Sequence, residues 1–171
     1  VPTEELGSFL EVYQKMGGQY EANGGTLEVN GKMAVRPVQL VETGTYPGFP
    51  TDLQAPLMAV LAGIPGRSVI RERIFDRRFG CAFQMNKMGA DIMTDGDMAV
   101  IPGGRPLKGT RVKAGDLRGG AALIIAALMA EGETCIVEAR FVRRGYEHIC
   151  EDLQALGCRI WQSSSRGFED L

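Results

Sequence analysis

The stretch TYPGFPTDLQAP (residues 45–56) crowds three prolines, a glycine and two aromatic residues around one carboxylate, Asp52. Proline fixes its own φ and pushes the residue before it to extended geometry, so the acid is presented on a stiff turn. A carboxylate held that way suits a positioned base or an acceptor for a substrate hydroxyl. Asp116, in KAGDLRGG, also stands ahead of an apolar run. There an aspartate can cap a helix and answer its dipole, or serve as a second acid in a site.

Three arginines accompany these acids: Arg118 just inside a helix start, and Arg78 and Arg144 after strands. The planar guanidinium fork matches carboxylate and phosphate oxygens two at a time, so three converging forks would hold a small dianion or trianion. The alternative is ordinary pairing with Glu72, Glu138 or Glu147. The sequence around Arg118, DLRGGAAL, offers no other reason for a guanidinium, and Gly119 and Gly120 let a ligand approach the backbone at a helix N-terminus. IPGGRP (residues 101–106) looks like a phosphate cradle but lacks the following Lys-Ser/Thr of a P-loop, which makes a hairpin exit the simpler reading.

Composition removes several function classes. A net charge of −2 supplies no field for nucleic acid or an anionic membrane, so any bound anion must meet a local arginine cluster. No apolar run approaches the roughly 20 residues of a bilayer span, and no signal peptide opens the chain. The four cysteines (Cys81, Cys135, Cys150, Cys158) show no CxxC spacing and read as free thiols in a reducing cytosol. With one histidine, His148, zinc or triad chemistry has no basis, and catalysis falls to Asp, Arg, Lys or Cys.

The elements that must position these groups recur along the chain. MGGQY, MGADI and LGCRI each follow a helical stretch and place a glycine where a left-handed cap would end it. YEANGGTLEVNG and DIMTDGDMAVIPGG read as hairpins turning at NGG and DG. FPTDLQAPLMAVLAGIPGRSVIRERIFDRRF also lies on KAGDLRGGAALIIAALMAEGETCIVEARFVRRGY, with Asp-Leu, an apolar run, a glycine, a strand, a phenylalanine and a double arginine in each. The unit is strand, helix, strand, helix, hairpin: a partial repeat over 1–40, a second over 41–105 and a third over 106–171. The first copy opens inside its second helix, which reads as an excised or shortened chain, and Val1 agrees with that. AALIIAALMA is apolar all round and should be enclosed by protein. The fold class is therefore α/β, one domain built inside out, with helices in the core and sheets outside.

YPGFPTDLQ, RIFDRRF, DLRGGAAL with its trailing AEGET, and RRGYEHICEDLQALG together resemble the C-terminal domain of the UDP-N-acetylglucosamine 1-carboxyvinyltransferase family of enolpyruvyl transferases. The resemblance runs from about residue 5 to 160. It implies an EPSP synthase-like fold of two inside-out domains with the active site between them. The reaction it implies is transfer of enolpyruvyl from phosphoenolpyruvate to the 3-hydroxyl of UDP-N-acetylglucosamine. That is the first committed step of peptidoglycan synthesis, a cytoplasmic reaction with no cofactor and no metal. Matched motif by motif, Asp52 falls on the acid facing the sugar hydroxyl, Asp116 beside the reacting carbon, and Ile74 at a backbone contact to the UDP-sugar. Arg78, Arg118 and Arg144 fall on cleft arginines, the last two holding phosphoenolpyruvate. The family's reactive loop residue and its Lys-Asn pair belong to the N-terminal domain, the implied partner. RIFDRRF carries Arg77 where asparagine is usual, and GCAFQ replaces a different helix start.

Two function classes follow. One is an enzyme domain, inactive or nearly so without its partner, since half a cleft neither excludes water nor positions both reactants. The other is a non-catalytic module descended from it that binds a UDP-sugar or a protein. An EPSP synthase-like transferase ranks lower because its Lys-Glu-x-x-Arg stretch is not present.

Overall fold

The computed structural model describes residues 3–30, 32 and 35–163. The end of the tail WQSSSRGFEDL lies outside them. A 3-10 turn (Thr3–Leu6) leads into α1 (Gly7–Lys15), followed by the hairpin β1 (Gln19–Asn23) and β2 (Thr26–Asn30). Next come β3 (Val41–Glu42), a 3-10 turn (Thr51–Leu53) running directly into α2 (Gln54–Gly63), β4 (Gly66–Arg71) and α3 (Gly80–Lys87). A second hairpin, β5 (Met93–Asp95) and β6 (Met98–Gly103), follows. The chain continues through β7 (Arg111–Lys113), α4 (Leu117–Met129), β8 (Cys135–Val137), α5 (Arg140–Arg143) and α6 (Ile149–Ala155).

Both hairpins form where NGG and DG foretell them. Helices α1, α3 and α6 end at glycines with positive φ: Gly17 at 92°, Gly89 at 97° and Gly157 at 89°. A side chain there would carry a steric penalty that glycine avoids. In the main sheet the strand order is β3-β4-β6-β5, with β3 parallel to β4 and the other neighbours antiparallel. The short parallel pair β7–β8 forms a separate sheet.

Helices α2 and α4 pack against each other at the centre, and both sheets lie outside them: β4 and β6 over α2, β7 over α3 and β8 over α4. Met58 and Leu61 of α2, Leu123 and Ala126 of α4, and Ile70, Ala99 and Ile101 of the main sheet are wholly buried in one apolar core. Each large side chain among them contributes roughly 1.5–3 kcal/mol by leaving water. Pro56 fits α2 because it stands in the first turn, where its missing N–H has no partner to lose.

The expectation that AALIIAALMA is enclosed on every side needs correction at its end, where Leu128 and Met129 are 46% and 40% exposed. The last turn of α4 buries Ala126 and leaves Leu128 and Met129 partly to solvent, so only one face of it is covered. Met129 reaches the terminal Gly63 of α2.

Candidate functional site

The loop ahead of Asp52 is fastened by its own backbone. Gly44 N–H donates to Phe49 O (2.9 Å), Gly48 N–H donates to Thr45 O (2.7 Å), and the Tyr46–Pro47 peptide is cis. Ser8 Oγ of α1 donates to Gly48 O (3.1 Å), and Phe49 is buried beneath. Asp52 emerges in the 3-10 turn that opens α2 and makes no side-chain cap. Its carboxylate is occupied elsewhere: Arg78 Nη2 donates to Oδ1 (2.9 Å) and Arg118 Nη2 donates to Oδ2 (2.6 Å). The Arg118 hydrogen bond is the largest influence holding the Asp52 carboxyl below its ordinary value. Partial burial opposes it, and the charges of Arg118 and Arg78 reinforce it. Asp52 in return raises the pKa of Arg118, with a smaller contribution from the Tyr146 phenol. Arg78 also lies over the Phe75 ring at 4.7 Å.

Asp116 is the N-cap of α4. Its Oδ1 accepts the Gly119 N–H at 2.7 Å, which fixes the helical turn that carries Arg118. The neighbouring Cys81 thiol is pushed up to about 12, by burial first and by the Asp116 charge second. It therefore stays protonated and unreactive at neutral pH.

Ile74 lies on the loop after β4 and lines a cavity of about 330 Å³ with Glu72, Arg73, Phe75, Asp76 and Asp97. Arg144 stands at the end of α5 rather than after a strand, is exposed, and makes no ion pair among the described residues. Arg78 likewise lies in a turn rather than directly after its strand. Of the three forks expected to converge, Arg78 and Arg118 bond Asp52, while Arg144 makes no ion pair among the described residues, although its neighbours Gly145 and Tyr146 lie against Leu117 and Arg118. Arg105 pairs with Asp91 at 3.1 Å. Gly103 is required by close approach, since a Cβ there would run into the carbonyl oxygens of Leu61 and Ile64. The PGGRP glycine thus serves packing against the end of α2.

Sequence reasoning passed over Glu72, weighed only as an arginine partner. It pairs with no arginine among the described residues and is 3% exposed. Its Oε1 accepts from Thr43 Oγ1 (2.7 Å), Ile74 N–H (2.8 Å) and Phe75 N–H (3.1 Å), and its Oε2 accepts from Thr51 Oγ1 (2.8 Å). Burial raises the Glu72 pKa, and the two threonine hydroxyls and two backbone amides together outweigh it, leaving the carboxyl below its ordinary value. The signal lies in the strand before it: Ser68, Val69 and Ile70 are all buried, so β4 is covered on both faces where Glu72 follows it.

Comparison with solved structures defines the class. The enolpyruvyl transferase NikO from Streptomyces tendae matches with a TM-score of 0.77 and 28% identity, covering 89% of this chain and 35% of that one. EPSP synthase from Acinetobacter baumannii matches with a TM-score of 0.72 at 20% identity over 96% of this chain and 39% of that one, which speaks for the fold alone. The architecture is the α/β fold of EPSP synthase-like proteins. Residues 2–153 match the model of the EPSP synthase (3-phosphoshikimate 1-carboxyvinyltransferase) family, and the chain belongs to that family. Among curated relatives, a UDP-N-acetylglucosamine 1-carboxyvinyltransferase 2 of Clostridium tetani is 45% identical over 148 residues, 86% of this chain and 35% of the relative. A UDP-N-acetylglucosamine 1-carboxyvinyltransferase of Desulfofundulus thermocisternus is 49% identical over 123 residues, 72% of this chain and 51% of the relative. The chain thus spans between a third and about half the length of these two relatives.

Proposed function

We propose that this chain is one domain of an enzyme that transfers enolpyruvyl from phosphoenolpyruvate to the 3-hydroxyl of UDP-N-acetylglucosamine, with the complementary domain as its partner. The observation that carries the reading is the Asp52 carboxylate seated between Arg78 and Arg118. The relatives' names support the choice of sugar nucleotide. The same reading takes residues 1–40, 41–105 and 106–171 as three copies of one unit, the first partial. It makes the reaction a cytoplasmic step of peptidoglycan synthesis. No helix among the described residues is long and apolar enough to cross a membrane.

The transfer must remove a proton from the sugar hydroxyl, form a carbon–oxygen bond to the enolpyruvyl carbon, and break that carbon's bond to phosphate. Asp52 accepts the hydroxyl proton. In the resting site its arginine partners weaken it as a base. A phosphate or carboxylate arriving on Arg118 and Arg144 draws positive charge away from Asp52 and restores its basicity. The same guanidinium groups stabilise charge developing on the departing phosphate. Asp116 keeps the first turn of α4 in register beside the reacting carbon. The Ile74 N–H is taken by Glu72, so a backbone contact to the sugar falls to the Ile74 carbonyl.

The direct test supplies the complementary domain and measures phosphate release from both substrates. Asp52→Ala should abolish release while leaving the far-UV spectrum and unfolding transition in place. Near-normal turnover in that variant, or no turnover from the folded reconstituted pair, would overturn the reading. Sugar-nucleotide binding without release would favour the non-catalytic module.

A further inference from the structure

Glu72 ties the loop that follows it, through Ile74 and Phe75, to two earlier segments 29 and 21 positions away: the end of β3 through Thr43 and the Asp52 turn through Thr51. The knot is tightened from both sides. Thr43 Oγ1 accepts the Arg73 N–H at 2.8 Å, and the Glu72 N–H donates to Asp97 O at 2.7 Å in the β5–β6 turn. A buried carboxylate without a cation is costly unless its lone pairs are filled, and here four donors fill them. Packing alone would be served more cheaply by an apolar residue at this position. The arrangement instead fixes the distance between two places that the functional reading assigns to one sugar: the Asp52 carboxylate and the backbone at Ile74.

We propose that Glu72 is a positioning residue for the sugar nucleotide, tying the Asp52 turn to the Ile74 loop so that acid and backbone edge meet the substrate at a set separation. The inference rests on the transferase reading and adds to it a residue outside the ion cluster. Glu72 acts through Thr51 and the Ile74 and Phe75 amides. Neither Arg118 nor Arg144 hydrogen-bonds Glu72 itself, and Arg118 meets the tied turn only through the Asp52 carboxylate, so the sugar side of the site depends on Glu72 directly and the phosphoenolpyruvate side least.

Glutamine separates geometry from charge. In Glu72→Gln the carbonyl oxygen can keep the Thr43, Ile74 and Phe75 donors, while the new amide donates to Thr51, whose hydroxyl rotates to accept. Alanine removes all four ties. Thr51→Val cuts only the tie to the Asp52 turn and keeps the β-branched shape, which covers the case in which the alanine variant does not fold.

In the full-length enzyme, steady-state phosphate release with each substrate varied in turn reads the effect, with calorimetric UDP-N-acetylglucosamine binding alongside. A misplacement of about 1 Å can cost on the order of 100-fold in rate. Glu72→Ala is expected to lower kcat/KM for the sugar nucleotide by about that factor, raise its KM, and leave the KM for phosphoenolpyruvate unchanged. Glu72→Gln should stay within about threefold of the unsubstituted enzyme, and Thr51→Val should fall between the two. Hydrogen–deuterium exchange of the peptide carrying Ile74 and Phe75 should accelerate in the alanine variant and not in the glutamine variant. Unchanged KM values with activity following only the folded fraction would overturn the proposal. So would a glutamine variant as impaired as alanine, or a Thr51→Val enzyme with unaltered sugar kinetics. Absence of phosphate release from the unsubstituted enzyme would instead strike the transferase reading. The exchange data would then still show whether Glu72 holds the two loops together, and unchanged exchange in the alanine variant would remove that as well.

Discussion

Replacing Arg118 with methionine separates two contributions that the Asp52 cluster combines. The Arg118–Asp52 hydrogen bond is short, at 2.6 Å, yet the Asp52 side chain is 51% exposed and that of Arg118 is 30% exposed. Coulomb attraction at that distance would be over 1 kcal/mol even at the dielectric constant of water, and several times larger at an effective value near 20. Solvent screening and side-chain ordering reduce exposed pairs to roughly 0.2–1 kcal/mol, and methionine retains the packing of the arginine stem. Stability should therefore fall by no more than about 1 kcal/mol, a small displacement of a urea midpoint. Catalysis should suffer far more. A preorganised donor aimed at developing anionic charge is worth about 100- to 1,000-fold in kcat. The Asp52 carboxyl should also titrate closer to its ordinary value once its strongest hydrogen bond is gone, leaving Arg78 as partner. Urea unfolding, phosphate release in the complete enzyme and carbon-13 NMR titration of Asp52 measure the three effects. Turnover within a few-fold of normal, or an Asp52 titration that does not move, would refute the reasoning.

Further expectations concern the frame around the site. Asp116→Ala removes the α4 N-cap and should cost about 1 kcal/mol in chemical denaturation, with Asp116→Asn retaining most of it. Asp52 and Glu72 both titrate below their ordinary values when folded. The stability they contribute is complete above the unfolded carboxylate range and is lost as pH falls through their lower folded values. Unfolding midpoints should drop in acid, and less steeply in Glu72→Gln. The Cys81 thiol should resist alkylation at pH 8 until the protein unfolds, while the less buried Cys135 and Cys158 react. Because the folded Cys81 value is the higher one, its contribution to stability fades as pH climbs from 9 towards about 12. Gly103→Ala should destabilise by about 3 kcal/mol or more in thermal unfolding, because rigid backbone carbonyls stand where the methyl would go.

What the sequence disclosed follows the range of the forces involved. Turns and caps are local. NGG, DG and the three helix-ending glycines each carry their conformational reason within a few residues, and the elements form where those residues put them. The proline-flanked Asp52 was legible for the same reason. Its partners were less so. Arg78 and Arg118 lie 26 and 66 positions away along the chain; the packing of α2 against α4 brings Arg118 to it, and the turn between β4 and α3 brings Arg78. Arg144 occupies a place in the sequence like that of Arg78, but a short helix, α5, carries it to an exposed end. Glu72 was hidden by its neighbours. Arg-Glu-Arg reads as a solvated charge run, and the inward turn of its middle residue follows from the buried end of β4, where Ser68, Val69 and Ile70 are all covered. The end of α4 misled for a related reason, since an apolar run in sequence does not specify which of its faces a neighbour covers.

A ligand arriving at Asp52 meets a closed triplet of opposite charges, the carboxylate already shared by Arg78 and Arg118. A purely anionic compound must compete with Asp52 for the charge of two cations and sits with its own charge beside that acid. A zwitterion with its groups spaced like the triplet could exchange partners with both signs at once. Inhibitors built on that exchange would lose less to desolvation than mimics of the anion alone.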